Sequence, residues 1–252
     1  MKKYIKNIVP VAALLLTMGT ATSCVGDLDV TPINPNIQTG LNIDGLFNKC
    51  YANFAMAGNG GANGDCDIDG IDGGTSGFVR QTFNANELPT DEAICGWGDD
   101  GIAGFCYNSY NATNPMLTGL YARITTGIAY CNQYLAEAGD QDATKLAEIR
   151  FLRAYEYFSL MDGWGNIPFT LQPLTKPERY TRAQVYEWLE KVLLEIEPSL
   201  SDAKAKKSTD AGYGRVDKAA CWLLLSRLYL NAEVYTGTPQ WEKAKSYAKK
   251  VM

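Results

Sequence analysis

The sequence of 252 residues contains no histidine. Histidine is the commonest general base and metal ligand in proteins, so its absence excludes a Ser-His-Asp triad and removes the most frequent donor of a metal site. The seven cysteines include no Cys-x-x-Cys pair, which is the spacing typical of redox and zinc motifs. We therefore expect no metal site and no cofactor.

The N-terminal residues have the pattern of an export signal. Three lysines lie within the first six residues and an apolar run covers residues 8–18, which is too short for a membrane-spanning helix of roughly 20 residues. Small residues then lead into Cys24. We predict a lipoprotein signal peptide over residues 1–23, acylation of Cys24 and a tether over residues 24–40. Ala21 stands where such signals usually have leucine, and an ordinary cleaved signal beside an unrelated cysteine is the alternative.

The charge of the mature chain argues against nucleic acid as a partner. The sequence has 23 Lys and Arg and 28 Asp and Glu, and three of the lysines fall in the predicted signal. The mature net charge is then −8, whereas a phosphate backbone requires clustered basic residues. The 15 Tyr and 5 Trp suit a neutral ligand with apolar faces.

Six cysteines remain once Cys24 is set aside. Cys50, Cys131 and Cys221 fall on helical stripes at positions for small apolar residues, so we expect buried free thiols there. A bridge among the other three stays open: Cys66, Cys95 and Cys106.

The remaining pattern predicts an all-α protein. Residues 58–114 are rich in Gly, Asn and Asp and lack periodicity, which favours an irregular, loop-rich insertion. Apolar residues recur at helical spacing near residues 43–54, 117–135, 144–161, 181–196, 217–231 and from 241 to the end. The third and fifth of these helices are apolar on more than one face, which favours tetratricopeptide-like helix pairs, with a four-helix bundle as the alternative. We assign residues 41–252 to one helical domain and expect the sequence to be truncated within its last helix.

Five stretches of the sequence resemble the SusD/RagB family of outer-membrane nutrient-binding lipoproteins. The clearest is AEIRFLRAYEYFSLMDGWGNIPF at residues 147–169. Residues 180–200 and 214–237 resemble the next two helices of the family, and residues 23–35 resemble its tether. Residues 77–101, GFVRQTFNANELPTDEAICGWGDDG, are most similar to the starch-binding member.

This resemblance implies an all-helical, tetratricopeptide-containing lipoprotein on the outer membrane, facing the exterior. Such a protein captures glycans, here α-glucans such as starch and maltooligosaccharides, and passes them to a SusC-like TonB-dependent transporter. It is not an enzyme. Two other functions remain as alternatives, namely a helical-repeat adaptor for protein partners and a binder of a different glycan.

Trp97 is the leading candidate for a ligand contact. It lies between two glycines and precedes two aspartates, which suits a displayed indole better than a core residue. By resemblance, Trp97 matches a stacking tryptophan, Arg80 a hydroxyl-binding arginine, and Asp100 the position of a sugar-binding asparagine. Aspartate keeps the acceptor of that asparagine and lacks its amide donor. The alternatives are core packing for Trp97 and an ion pair with a nearby carboxylate for Arg80.

Two acidic patterns imitate functional motifs. The aspartates at positions 65, 67, 69 and 72 resemble the start of a calcium loop, but Ser76 replaces the bidentate glutamate at the twelfth position. Glu87, Asp91 and Glu92 could be mistaken for a glycosidase pair, although neighbouring sequence positions do not place two carboxyls across a bond. We expect a turn-rich loop in the first case and helix capping or loop hydrogen bonds in the second. Trp164 is expected to pack against the helix turn.

Overall fold

A computed structural model describes residues 41–58, 66–139 and 142–252 of the chain. The compact unit that begins at Ile43 is mostly helical, as the sequence predicts. The predicted signal peptide, Cys24 and the tether lie outside the described residues. The helices are α1 (Ile43–Ala55), α2 (Phe78–Glu87), α3 (Ile102–Cys106), α4 (Pro115–Glu137), α5 (Ala143–Trp164), α6 (Arg182–Ile196), α7 (Lys218–Leu230), α8 (Ala232–Thr236) and α9 (Trp241–Val251).

Local sequence signals explain where several helices begin. The Asn114 side chain accepts a hydrogen bond from the Met116 amide, with Pro115 at the first helical position of α4. Thr181 and Gln184 form a reciprocal capping box at the start of α6. The Asp217 side chain caps α7. Each cap satisfies backbone N–H groups that have no partner within the helix.

Helix α5 is the centre of the domain. It packs against α4 and against α6, and it buries residues on several faces, including Ile149, Leu152 and Leu160. The two-sided apolar pattern of the sequence is therefore explained by neighbours on both sides, and the helix-pair prediction is confirmed for this helix. A smaller core of Leu88, Ile102, Phe105 and Met116 lies beneath the segment between α2 and α4.

The sequence prediction missed helix α2 inside the loop-rich insertion. This helix buries the polar residues Gln81 and Asn84 and exposes the apolar residues Val79 and Phe83. Apolar periodicity locates a helix only when the buried face is apolar, so the inverted pattern of α2 concealed it. The pattern over residues 58–114 favoured loops with short irregular elements, and α2 is a regular helix of 10 residues within them.

A short antiparallel hairpin also differs from the all-helical expectation. Strands β1 (Ile167–Phe169) and β2 (Glu178–Tyr180) pair with Ile167 opposite Tyr180. The Phe169 and Tyr180 rings stack with centroids 4.3 Å apart. Strands of three residues are too short to show an alternating pattern in the sequence.

The sequence pattern of the last helix predicts an apolar face of Trp241, Ala244, Ala248 and Val251, of which Trp241 and Val251 are exposed. Ala244 is the residue of α9 that is buried, where it packs within the main core. All six cysteines of the described residues are free, and Cys50, Cys131 and Cys221 are buried as expected. None of the described helices is long and apolar enough to cross a bilayer.

Candidate functional site

The indole of Trp97 lies on the protein surface. Trp97 belongs to residues 88–101, which connect α2 to α3 and are called the Trp97 loop below. Its side chain is 67% exposed, and the guanidinium carbon of Arg80 is 4.8 Å from the centre of its ring. A cation over an indole face is attracted by the ring quadrupole. Arg80 therefore supports one side of a displayed indole, which is not buried in the core.

Arg80 is itself held by two further contacts. It projects from the first turn of α2, where one guanidinium nitrogen donates a hydrogen bond to the Gly74 carbonyl and the other pairs with the Asp99 carboxylate. Charge-assisted hydrogen bonds of this kind fix the plane of the guanidinium. The proposed alternative for Arg80, an ion pair with a nearby carboxylate, is thus present together with its contact to Trp97.

The two aspartates after Trp97 have different surroundings. Asp99 binds Arg80, whereas Asp100 is exposed at the surface. Sequence reasoning selected Asp100 and missed Asp99. A signal for Asp99 did exist, because an arginine expected beside an indole requires a counter-ion, but two adjacent aspartates offered no means of choosing between them.

The end of the Trp97 loop is anchored to the start of α4. Gly101 has a positive φ of 89°, and its carbonyl oxygen accepts a hydrogen bond of 2.9 Å from the Asn114 side chain. A Cβ at Gly101 would lie 2.7 Å from the Asn114 side-chain oxygen, so both the backbone conformation and the space require glycine. The cap of α4 therefore also fixes the position of the loop.

The two glycines that flank the indole leave space around it. A Cβ added at Gly96 or Gly98 would meet no atom of the described residues within 4 Å, their immediate chain neighbours aside. Neither glycine is required by a positive φ. Glycine at these positions keeps bulk away from the edges of the indole, which leaves its approaches open to a ligand.

A buried polar network joins α4 to the segment that precedes α2 and carries the site. Arg123 of α4 is fully buried and donates to the Ser76 carbonyl at 3.0 Å and to the Ala57 carbonyl at 3.2 Å. It also pairs with Asp67 at 2.8 Å. The Gln81 side chain donates to the Thr75 carbonyl. These contacts fix the segment that leads into α2, and so they fix the base of Arg80.

Asp67, one of the aspartates that resemble the start of a calcium loop, belongs to this polar network. Asp67 pairs with Lys49 at 2.7 Å and with Arg123, and Asp72 accepts a hydrogen bond from the Thr75 amide. Burial would raise the pKa of Asp67, but the hydrogen bonds and charges of Lys49 and Arg123 hold it below its usual range. Asp65 lies outside the described residues. Within the described residues, no cluster of three Asp, Glu, Cys or His is arranged to hold a metal ion.

The acidic residues after α2 form a turn. The Thr90 hydroxyl donates to the Glu87 carbonyl at 2.6 Å, and the Glu92 amide donates back to that hydroxyl at 3.2 Å. The side chains of Asp91 and Glu92 are exposed. They lack the desolvated surroundings in which paired carboxyls act as acid and base, which agrees with the loop hydrogen bonding expected from the sequence.

Trp164 packs as expected and also borders a cavity. Its ring meets that of Tyr121 edge to face at 5.4 Å. The cavity has a volume of about 320 Å³, and its walls include Tyr110, Phe158 and Arg227. The cavity therefore lies where α5 meets α4, since Leu117, Leu120 and Ile124 of α4 also line it.

Comparison with known proteins identifies the family to which this helical protein belongs. A family model described as "Starch-binding associating with outer membrane" matches residues 80–230. Since this match covers more than half of the chain, the chain belongs to the SusD-like family, as its sequence resemblance implied.

Individual relatives agree with this membership. The starch-binding protein SusD from Bacteroides thetaiotaomicron is 40% identical over 258 residues, which cover 99% of this chain and 46% of that protein. This chain therefore spans less than half the length of that relative. A SusD homologue from Bacteroides thetaiotaomicron is 18% identical with a TM-score of 0.63, over 83% of this chain and 39% of its own. A laminarin-binding SusD-like protein is 22% identical with a TM-score of 0.60, over 85% of this chain and 44% of its own. These two structures confirm the fold.

Proposed function

We propose that this protein captures α-glucans, such as starch and maltooligosaccharides, at the outer surface of the cell without cleaving them. The observation that carries the proposal is the exposed indole of Trp97, backed by the Arg80 guanidinium at 4.8 Å. A sugar ring has an apolar face that stacks on an aromatic ring and a rim of hydroxyls that need donors and acceptors. The free face of the indole supplies the first, and Asp100 supplies acceptors beside it.

The same proposal covers delivery and attachment. It assigns Arg80, Trp97 and Asp100 to glycan binding, acylated Cys24 to anchoring in the outer membrane, and a SusC-like TonB-dependent transporter to receive the glycan. The support for attachment and delivery is family membership and the signal-like N-terminal sequence. Stable anchoring by lipid requires more than one acyl chain, which an acylated N-terminal cysteine would provide.

Isothermal titration of the full-length protein with maltoheptaose tests the glycan site. Trp97→Ala removes the stacking surface, and we expect its affinity to fall at least about tenfold. Trp241→Ala is the matched control, because Trp241 is 58% exposed on α9 and we expect no change there. A Trp97→Ala protein that binds as tightly as the parent would contradict the site assignment.

A second measurement separates the alternatives. Affinity electrophoresis in gels that contain amylopectin or laminarin should show retardation by amylopectin, with no release of reducing ends. One structural neighbour is named a laminarin-binding protein, so retardation by laminarin alone would favour a different glycan. New reducing ends would show hydrolysis, and retardation by neither glycan would favour the adaptor function.

A further inference from the structure

Helices α1 and α4 pack in an antiparallel register that several contacts define. Near the start of α1, the Phe47 ring lies 5.8 Å from the ring of Tyr134 near the end of α4. Toward the end of α1, the Asn53 amide donates to the Arg123 carbonyl, in the first half of α4, at 3.3 Å. Residue numbers therefore fall along α4 as they rise along α1. This register places Cys50 of α1 opposite a position near residue 130 of α4.

The residue at that position is Cys131. The neighbouring pair agrees with the register, since the Lys49 ammonium lies 5.3 Å from the centre of the Tyr130 ring. Cys50 and Cys131 are each 1% exposed, and the neighbouring Cys50 thiol raises the pKa of the Cys131 thiol. Two buried cysteines from different helices thus lie at matching positions of the packed α1 and α4 faces.

Close packing of the two helices extends to the next turn. A Cβ at Gly127 would overlap the Asn53 amide and the Glu156 carboxylate. The absence of a side chain at Gly127 lets α1 approach α4 one turn from Cys131, and the helices are close enough there for short side chains to meet.

We propose that Cys50 and Cys131 form a disulfide that cross-links α1 to α4 once the chain has left the cytoplasm. This inference goes beyond glycan capture, but it rests on the export that the proposed function includes. Disulfides persist in exported proteins and are rare in the cytoplasm. Sequence reasoning expected buried free thiols at both positions, because each falls on a helical stripe at a position for a small apolar residue.

The cross-link requires an oxidant, which we take to be a dithiol–disulfide protein of the exported compartment. The thiolate of one cysteine attacks the oxidant's disulfide and gives a mixed disulfide, and one oxidant sulfur leaves as a thiolate. The second cysteine thiolate then displaces the other oxidant sulfur and forms the Cys50–Cys131 bond. The two protons lost by the cysteines are taken up by the oxidant, which ends as a dithiol.

The disulfide must form during folding, before the two cysteines are buried. The neighbouring Cys50 thiol and burial raise the pKa of the Cys131 thiol well above its usual range, so little thiolate is present after packing. The bond must therefore form while α1 and α4 are still accessible. Once formed, it closes a covalent loop that contains Arg80, Trp97 and Asp100.

Mass spectrometry of the full-length protein tests the bond directly. Protein isolated from the cell surface is denatured without reductant, treated with iodoacetamide and digested. We expect a peptide pair joined through Cys50 and Cys131 that separates on reduction. Cys221, whose thiol donates to the Leu193 carbonyl at 3.5 Å, is the internal control and should be alkylated without reduction. Full alkylation of Cys50 and Cys131 before reduction would overturn the inference.

Refolding distinguishes this inference from a failure of export. The purified protein is reduced, unfolded and refolded in a glutathione buffer poised at the potential of the exported compartment. Formation of the bond in this buffer but not in cells would support the inference and contradict the export. Its absence in both would contradict the inference alone. We also expect reduction to lower the melting temperature by roughly 5–10 °C, and this shift should vanish in Cys50→Ala/Cys131→Ala and persist in Cys221→Ala.

Discussion

At the residue scale, Trp97 depends on a neighbour that is not expected to touch the glycan. Asp99 pairs with Arg80, and Arg80 backs the indole. In the proposed site, Trp97 and Arg80 contact the glycan, and Asp99 fixes the position of Arg80. A single exposed tryptophan would otherwise be free to change rotamer, and holding it in advance reduces the entropy lost on binding.

The adjacent aspartates allow this arrangement to be tested. We expect Asp99→Asn to weaken maltoheptaose binding about two- to fivefold, because the Arg80–Asp99 pair is partly exposed and such pairs contribute little individually. Asp100→Asn should instead tighten binding about two- to fivefold, because it adds an amide donor for sugar hydroxyls and leaves the ion pair intact. Titration calorimetry measures both. Equal effects of the two substitutions would argue against separate roles.

At the element scale, the scaffold depends on the close approach of three helices. Gly127 of α4 faces Asn53 of α1 and Glu156 of α5, and the Asn53 amide donates to a Glu156 carboxylate oxygen at 2.7 Å. The same α4 carries Arg123, which supports the segment before α2, and Asn114, which anchors the Trp97 loop. A disturbance of this helix junction therefore reaches the candidate site through α4.

Gly127→Ala tests the junction. The added methyl group would overlap the buried Asn53–Glu156 pair, so we expect a loss of about 2–4 kcal/mol in the free energy of unfolding. Gly163→Ala in α5 is the matched control. Apart from its helix and chain neighbours, no atom lies within 4 Å of a Cβ added at Gly163. Alanine also favours the helix over glycine by up to about 1 kcal/mol. Urea unfolding of both variants gives the comparison. A neutral Gly127→Ala would show that the helices can separate without cost.

At the scale of the whole molecule, Glu156 couples stability to pH. It is fully buried, and burial raises the pKa of its carboxyl well above the usual range, although the Asn53 hydrogen bond and the charge of Arg123 oppose the shift. A carboxyl with a raised pKa in the folded state stabilises the fold fully below the unfolded pKa. That stability is lost as the pH rises from the unfolded pKa through the folded one.

Glu156→Gln should remove this dependence, because an amide imitates the neutral acid and cannot ionise. Between pH 5 and pH 8, we expect the parent to lose more than about 1 kcal/mol of unfolding free energy relative to the variant. Urea unfolding at the two pH values measures the difference. If parent and variant change equally with pH, Glu156 is ionised in the folded protein, and its pairing with Asn53 needs another explanation.

The sequence by itself determined the helices whose buried faces are apolar, their capped starts at Thr181 and Asp217, and the family. It also singled out Trp97, because an indole among glycines and aspartates has no apolar partners nearby in the chain. Only the tertiary structure decided that α2 exists, since two of the three residues that it buries are polar, and that Asp99 rather than Asp100 pairs with Arg80. It also decided that α1 and α4 pack antiparallel, with Gly127 against Asn53. Each of these depends on which groups from distant parts of the chain are brought into contact, and hydrophobic periodicity carries no information about such contacts.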